Sequence, residues 1–275
     1  MKRYISLSIL LILLFTSFSG CLNNDTSEPD EVKLFFAIHC EPGPFPNTTA
    51  YPEEYWINLV DLVNTAEKHG HFLTILMNPQ WYTFILEEPA RLKLVRTWED
   101  TGHEIGLHSH GPSAGNWNGY TNNQEFTNHS KYQGPIKEMV DICLNVPRDH
   151  TIHSAAVTDQ NQDTDYPETI MYDVNGGWEG VDHLVSSPTK VVINGIERIQ
   201  MTHARYSGEE GGGISVPLAF LDEAIDNISK DEVLGIVFHT FDYADMPLVY
   251  DDLFTHLKQE KDVASRTVSE ILESY

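Results

Sequence analysis

The chain of 275 residues carries 41 Asp and Glu against 17 Lys and Arg, a formal charge of −24 with histidine neutral. Basic residues this scarce and scattered exclude a nucleic-acid binder, which needs cations to displace condensed counterions, and they disfavour docking on an anionic membrane surface. A hydrophobic content of 41% excludes a disordered chain and suffices for one large domain, three cysteines exclude a disulfide scaffold, and thirteen histidines direct attention to metal or acid–base chemistry.

Lys2 and Arg3 precede an apolar run from Ile5 to Phe15, and Ser17, Ser19 and Gly20 then lead to Cys21, the layout of an export signal over residues 1–20. The run is shorter than the ~20 residues of a spanning helix. Phe18-Ser19-Gly20-Cys21 resembles a lipoprotein cleavage site, so Cys21 is expected to be lipidated and to hold the protein on the outer face of the cell membrane. An ordinary secretory signal with an incidental cysteine is the alternative. Residues 21–31 show no apolar periodicity and read as a flexible tether, which leaves residues 32–275 as the folded domain.

Within that domain, apolar runs of strand length alternate with segments of helical period. Lys33–His39 predicts a buried strand, Glu53–Lys68 a helix ending at Gly70, Phe72–Met77 a strand, Arg91–Asp100 a helix ending at Gly102, and Glu104–Leu107 a third strand. Ser109–Asn128 has no periodicity and reads as a long loop. Lys131–Asn145 predicts a helix, Thr151–Val157 a strand, Pro217–Ile228 a helix, Val233–His239 an apolar strand and Leu248–Lys258 a helix. This alternation implies a parallel sheet or barrel whose functional groups sit at the strand C-terminal ends. Cys40 and Cys143 could pair in an exported compartment, a question that spacing leaves open.

Histidines recur at those strand ends: His39, His108, His110, His203 and His239, with His153 inside the fourth strand. One such histidine is ordinarily a hydrogen-bonded structural residue; five or six are not easily explained that way. His69, His71, His103, His150, His183 and His256 fall in turns or on helix faces and are assigned no role. Residues two apart in a strand share a face, so His39 and Glu41 point together, as do His108 and His110. Glu41, His108 and His110 would form a three-ligand N/O site with a position left for water, as a hydrolytic metal centre requires. The alternative is a set of histidines capping a polar loop.

At Gly102–His110, GHEIGLHSH, the sequence resembles the polysaccharide deacetylases, the NodB-homology group of carbohydrate esterases, which carry Gly-His-Glu-Ile-Gly-x-His-Ser/Thr after a barrel strand. His39-Cys40-Glu41 falls where that family ends its first strand in an acidic pair, the first member a general base and the second a metal ligand. Val237-Phe238-His239 looks like its last strand, ending in a general-acid histidine, and Arg266–Leu272 looks like its closing strand and helix. The resemblance implies an α/β fold, a distorted (β/α) barrel, and removal of N- or O-acetyl groups from sugars.

The chain also departs from that pattern. His39 stands for the basic Asp, Glu41 for the metal Asp, Pro112 where a second metal histidine would lie, and His153 where an arginine motif would orient the base. His110 is expected to replace the missing ligand. The resulting expectation is a metal-dependent hydrolase, with zinc the ion that imidazole ligands favour, Glu41, His108 and His110 as ligands, His39 as base and His239 as acid. His153, Trp178 and His203 are expected to contact a carbohydrate or acetylated substrate that is neutral or weakly charged. Trp117, Tyr120 and Trp178 are candidates for stacking on sugar rings, unless they pack locally. The rival is a catalytically degenerate barrel that binds glycan or metal at the cell surface; a zinc-capturing lipoprotein would more naturally carry a His/Asp-rich tract.

Overall fold

The strands that form the sheet alternate between two environments. The computed structural model of the protein describes residues 31–158, 166–174, 181–193, 195–206, 216–273 and 275; the expected export signal, Cys21, the tether up to Asp30 and Trp178 lie outside them. In chain order the elements are β1 (Leu34–Cys40), α1 (Ala50–Lys68), β2 (Leu73–Met77), α2 (Pro79–Leu86), α3 (Pro89–Thr101), β3 (Glu104–His110), α4 (Ile136–Cys143), β4 (Ser154–Thr158), β5 (Tyr172–Asp173), β6 (Val185–Ser186), β7 (Thr189–Ile193), β8 (Ile196–Gln200), β9 (Ala204–Arg205), α5 (Leu218–Asn227), β10 (Val233–His239), α6 (Thr240–Asp245), α7 (Pro247–Gln259) and α8 (Val268–Leu272).

The sheet runs β6-β10-β1-β2-β3-β4-β5-β8-β7, with β9 also paired to β10. Its pairs are parallel except β6 with β10 and β7 with β8. This is the distorted barrel that the resemblance implies, built on the parallel pairing that the alternation implies. Leu34, Phe36, Ile38 and Cys40 of β1 join the cluster that packs beneath the helices, whereas Phe35 and Ala37 join a second cluster with Leu76, Ala156, Val174, Met201 and Val237. That second cluster is the barrel interior, and period-two alternation places His39 on the same face. The same parity in β3 turns Ile105 and Leu107 toward the helices, and so Gly106, His108 and His110 inward.

Both glycines of the GHEIG segment are accounted for by close approach. Gly102 ends α3 in the left-handed region at φ 111°, which an L side chain resists, and a Cβ on Gly106 would stand 2.5 Å from Leu76 Cδ2 and 2.6 Å from the Ser154 carbonyl oxygen. At the opposite end from the histidines, α8 places Val268, Ile271 and Leu272 against the interior cluster. Glu104 fixes it there, its carboxylate accepting from Thr74 Oγ1, Ser154 Oγ and the Ser269 amide.

Several boundaries differ from the sequence reading. The helix expected over Lys131–Asn145 starts only at Ile136, because Pro135 stands at its N-cap. Arg266 and Thr267 form no strand; Arg266 contributes one backbone bond to Leu34 and Thr267 caps α8. Helix α2 was not anticipated, although Asn78 accepts from the Gln80 and Trp81 amides and Pro79 opens the first turn, a recognisable start signal. Cys40 and Cys143 are both buried and free.

Candidate active site

At the C-terminal ends of β1, β3 and β10 lies a cavity of about 870 Å³, with His39, Glu41, His108, His110, His203 and His239 among its lining residues. Glu41 is 5% exposed. Its Oε1 lies 3.0 Å from His108 Nε2, 2.9 Å from His110 Nε2 and 3.7 Å from His239 Nε2. Burial alone would push the Glu41 carboxyl up, but His108 and His110 outweigh it and hold the group well below the usual carboxylate range.

The donor set fits a cation. His108 Nδ1 lies 3.0 Å from the Ala156 carbonyl, which can only accept, so Nδ1 carries the proton and Nε2 turns its lone pair toward Glu41 Oε1. Two acceptor atoms at that separation need a positive charge shared between them, either a second proton on the ring or a metal ion. A carbonyl holding the distal ring nitrogen is the usual support for a ligating histidine. His39, Glu41 and His108 offer ligand atoms that all lie within 4.8 Å of one another, a trio with His39 where the sequence reading placed His110, whose Nε2 lies 2.9 Å from Glu41 Oε1. Hence the group could hold a metal ion, with zinc, an N/O-binding ion, suited to its chemistry.

His39 stacks on His108, ring centroids 4.1 Å apart, and its Nε2 has no hydrogen-bond partner among the described residues. Burial, followed by the surrounding imidazoles of His108, His203, His239 and His110, keeps its pKa well below the ordinary histidine value, so the ring is a neutral proton acceptor. His239 pairs in register with His39 across β1 and β10. Asp242 Oδ2 accepts from both the His239 amide and Nδ1, each at 2.9 Å, which leaves Nε2 facing the cavity. Arg205 pairs with the other Asp242 oxygen. Burial raises the Asp242 carboxyl, but His239 and Arg205 lower it further, to a net value below the ordinary one.

The structure brings five of the six singled-out histidines together and removes one. His203, 2% exposed, lies with its ring 5.2 Å from that of His39. His153 is not there: β4 begins one residue later at Ser154, so His153 sits exposed at the strand's N-terminal end, in a separate cleft beside His103, Arg148 and Ser269. Its expected contact with substrate is thereby corrected. Trp117 and Tyr120 are 4% and 8% exposed, and Trp117 donates through Nε1 to the Tyr120 carbonyl while packing on Phe126 and His129. Both pack locally, and Trp117 also borders the cavity, whereas Tyr120 does not. Trp178 is outside the described residues.

Sequence reasoning missed Asn116, whose Nδ2 donates to Glu41 Oε2 at 2.8 Å and lies 3.0 Å from His110 Nε2. It also missed Arg205 and the stacking of Phe241 on His239, with centroids 4.6 Å apart and planes 9° from parallel. The Asp242 contact is legible in the sequence, because Thr240-Phe241-Asp242-Tyr243 after His239 is a polar segment able to orient its ring, and Asp242 does so; for Asn116 there was no such signal.

No protein-family model matches the chain, and no curated protein matches it. Solved structures share its fold. One is a Mycobacterium smegmatis protein designated an inferred polysaccharide deacetylase, 12% identical, with a TM-score of 0.55 over 90% of this chain and 92% of that one. Another is the 4-alpha-glucanotransferase of Thermococcus litoralis, 13% identical, with a TM-score of 0.55 over 90% of this chain but 41% of that longer one. At such identities the likeness establishes a fold common to these barrels.

Proposed function

We propose that the protein is a metal-dependent hydrolase that removes acetyl groups from a sugar or polysaccharide. The observation that carries this reading is the convergence of Glu41, His108 and His110 beside a buried neutral imidazole in a cavity at the strand C-terminal ends. Its fold, shared with a protein designated a polysaccharide deacetylase, supports the same substrate class.

Glu41, His108 and His110 would hold the ion, with Asn116 fixing the second Glu41 oxygen. Zinc bound there supplies a Lewis acid for the acyl oxygen and lowers the pKa of water. His39, kept neutral by burial, takes a proton from the attacking water. His239, its Nδ1 held by Asp242, delivers a proton from Nε2 to the leaving nitrogen or oxygen. His203 borders the substrate space. Export and attachment through a lipidated Cys21 would place this chemistry at the cell surface, next to envelope glycans.

Acetate release from a panel of acetylated sugars, measured for zinc-loaded and chelated protein, tests the proposal. Release that depends on the metal, together with loss of the ion in a Glu41→Ala/His108→Ala/His110→Ala variant, is expected. Metal and glycan binding without acetate release would instead make the protein a cell-surface binding barrel.

A further inference from the structure

The charge of the cavity runs opposite to that of the chain. Acids outnumber bases 41 to 17 in the sequence. Among the described residues lining the cavity, Glu41 is the one carboxylate, and Lys131 and Arg205 are its permanent cations. Glu41 is engaged by His108, His110 and Asn116, and Arg205 by Asp242. Lys131 has no such partner among the described residues: its Nζ donates to the Gly115 carbonyl at 3.2 Å and lies 5.7 Å from the centroid of the Phe45 ring.

Phe45 is itself anomalous, an aromatic ring 47% exposed on the cavity lining. It stands between Pro44 and Pro46, whose fixed φ angles limit the freedom of the backbone there. A half-exposed aromatic ring with an ammonium over one face and no carboxylate matching that charge complements one kind of ligand: a sugar ring, whose C–H face stacks on the aromatic, carrying an anion that pairs with the cation.

We propose that Phe45 and Lys131 form a subsite for an acidic sugar unit, so that the substrate is a carboxylate-bearing glycan of the uronic-acid type and not the neutral or weakly charged one expected from sequence. This rests on the sugar-hydrolase reading of the neighbouring histidines. The net negative charge of the protein does not oppose it, because at physiological ionic strength surface charges more than about 8 Å away are largely screened and the cation in contact decides.

The test is calorimetric titration of the zinc-loaded protein at 150 mM salt with two tetrasaccharides of equal length that both contain N-acetylglucosamine, one from hyaluronan with two carboxylates and one from chitin with none. The hyaluronan fragment is expected to bind about tenfold more tightly. Lys131→Ala should abolish that preference while changing affinity for the chitin fragment less than twofold, and Phe45→Ala should weaken both. Equal affinities in the unaltered protein, or a preference that survives in Lys131→Ala, would overturn the subsite, and acetate release from both sugars would leave the hydrolase reading standing. A Lys131-dependent preference without acetate release would support the subsite and sink the hydrolase. Failure of both fragments to bind would overturn the subsite, while acetate release from the panel of acetylated sugars would decide the hydrolase reading separately.

Discussion

His71 provides a pH-dependent probe of the fold that is independent of the cavity. Its side chain is fully buried against Phe36 and Phe254. Its Nδ1 accepts from the Ser265 amide and its Nε2 donates to the Phe254 carbonyl, both at 3.1 Å, so the fold specifies one neutral tautomer. Burial lowers its pKa from 6.5 to about 4. The unfolded chain therefore binds this proton at higher pH than the folded one, and stability falls as pH falls. The contribution is complete above 6.5 and is lost between there and about 4. At about 1.4 kcal/mol for each pH unit, the full loss is roughly 3 kcal/mol, of which about 2 kcal/mol is gone by pH 4.5. Other groups titrate in this range, so the measurement is the difference between the unaltered protein and His71→Gln in urea unfolding at pH 7.5 and pH 4.5. The variant is expected to be the less stable at pH 7.5, with a gap that narrows by about 2 kcal/mol at pH 4.5. Parallel stability curves for the two proteins would refute the assignment of a buried neutral imidazole.

Replacing His239 with Ala should lower acetate release about 10²–10⁴-fold with metal content unchanged, since Asp242 still caps α6 through the His239 amide and still pairs with Arg205. Unimpaired turnover would remove His239 from the chemistry, and loss of bound metal would reassign it as a ligand. Gly106→Ala should destabilise the protein by about 1–3 kcal/mol, measured by urea unfolding, because its Cβ would meet Leu76 and the Ser154 carbonyl; unchanged stability would contradict that packing. Cys21→Ser should release the protein from the membrane fraction of expressing cells, and retention there would count against lipid anchoring.

The sequence reading succeeds where one periodicity decides the matter. Strand β10 is read to the residue, Val233–His239, because an unbroken apolar run bounded by polar segments has few other solutions, and the His39/Glu41 and His108/His110 pairs are read correctly because parity alone fixes their common face. It fails where a boundary carries the meaning: beginning β4 three residues early at Thr151 drew His153 into the strand interior, whereas the chain enters the sheet only at Ser154. Asn116, Lys131 and Phe45 were invisible for another reason. Their roles arise from loops meeting across tens of residues, and no local pattern encodes such a meeting.

The pairing of β1 with β10 joins His39 to His239 across about 200 residues of intervening chain. A contact so distant in sequence forms only after the entropy of closing that loop has been overcome, which places it among the slow steps of folding. The cavity is consequently assembled at the seam where the two ends of the barrel's chain path meet. An incomplete chain, whether halted in synthesis or nicked before folding, would hold β1 without β10 and leave its histidines apart. Activity would thus report on completion of the whole barrel: partly folded forms would be inert, and no fragment lacking either strand would retain a weakened version of the same chemistry.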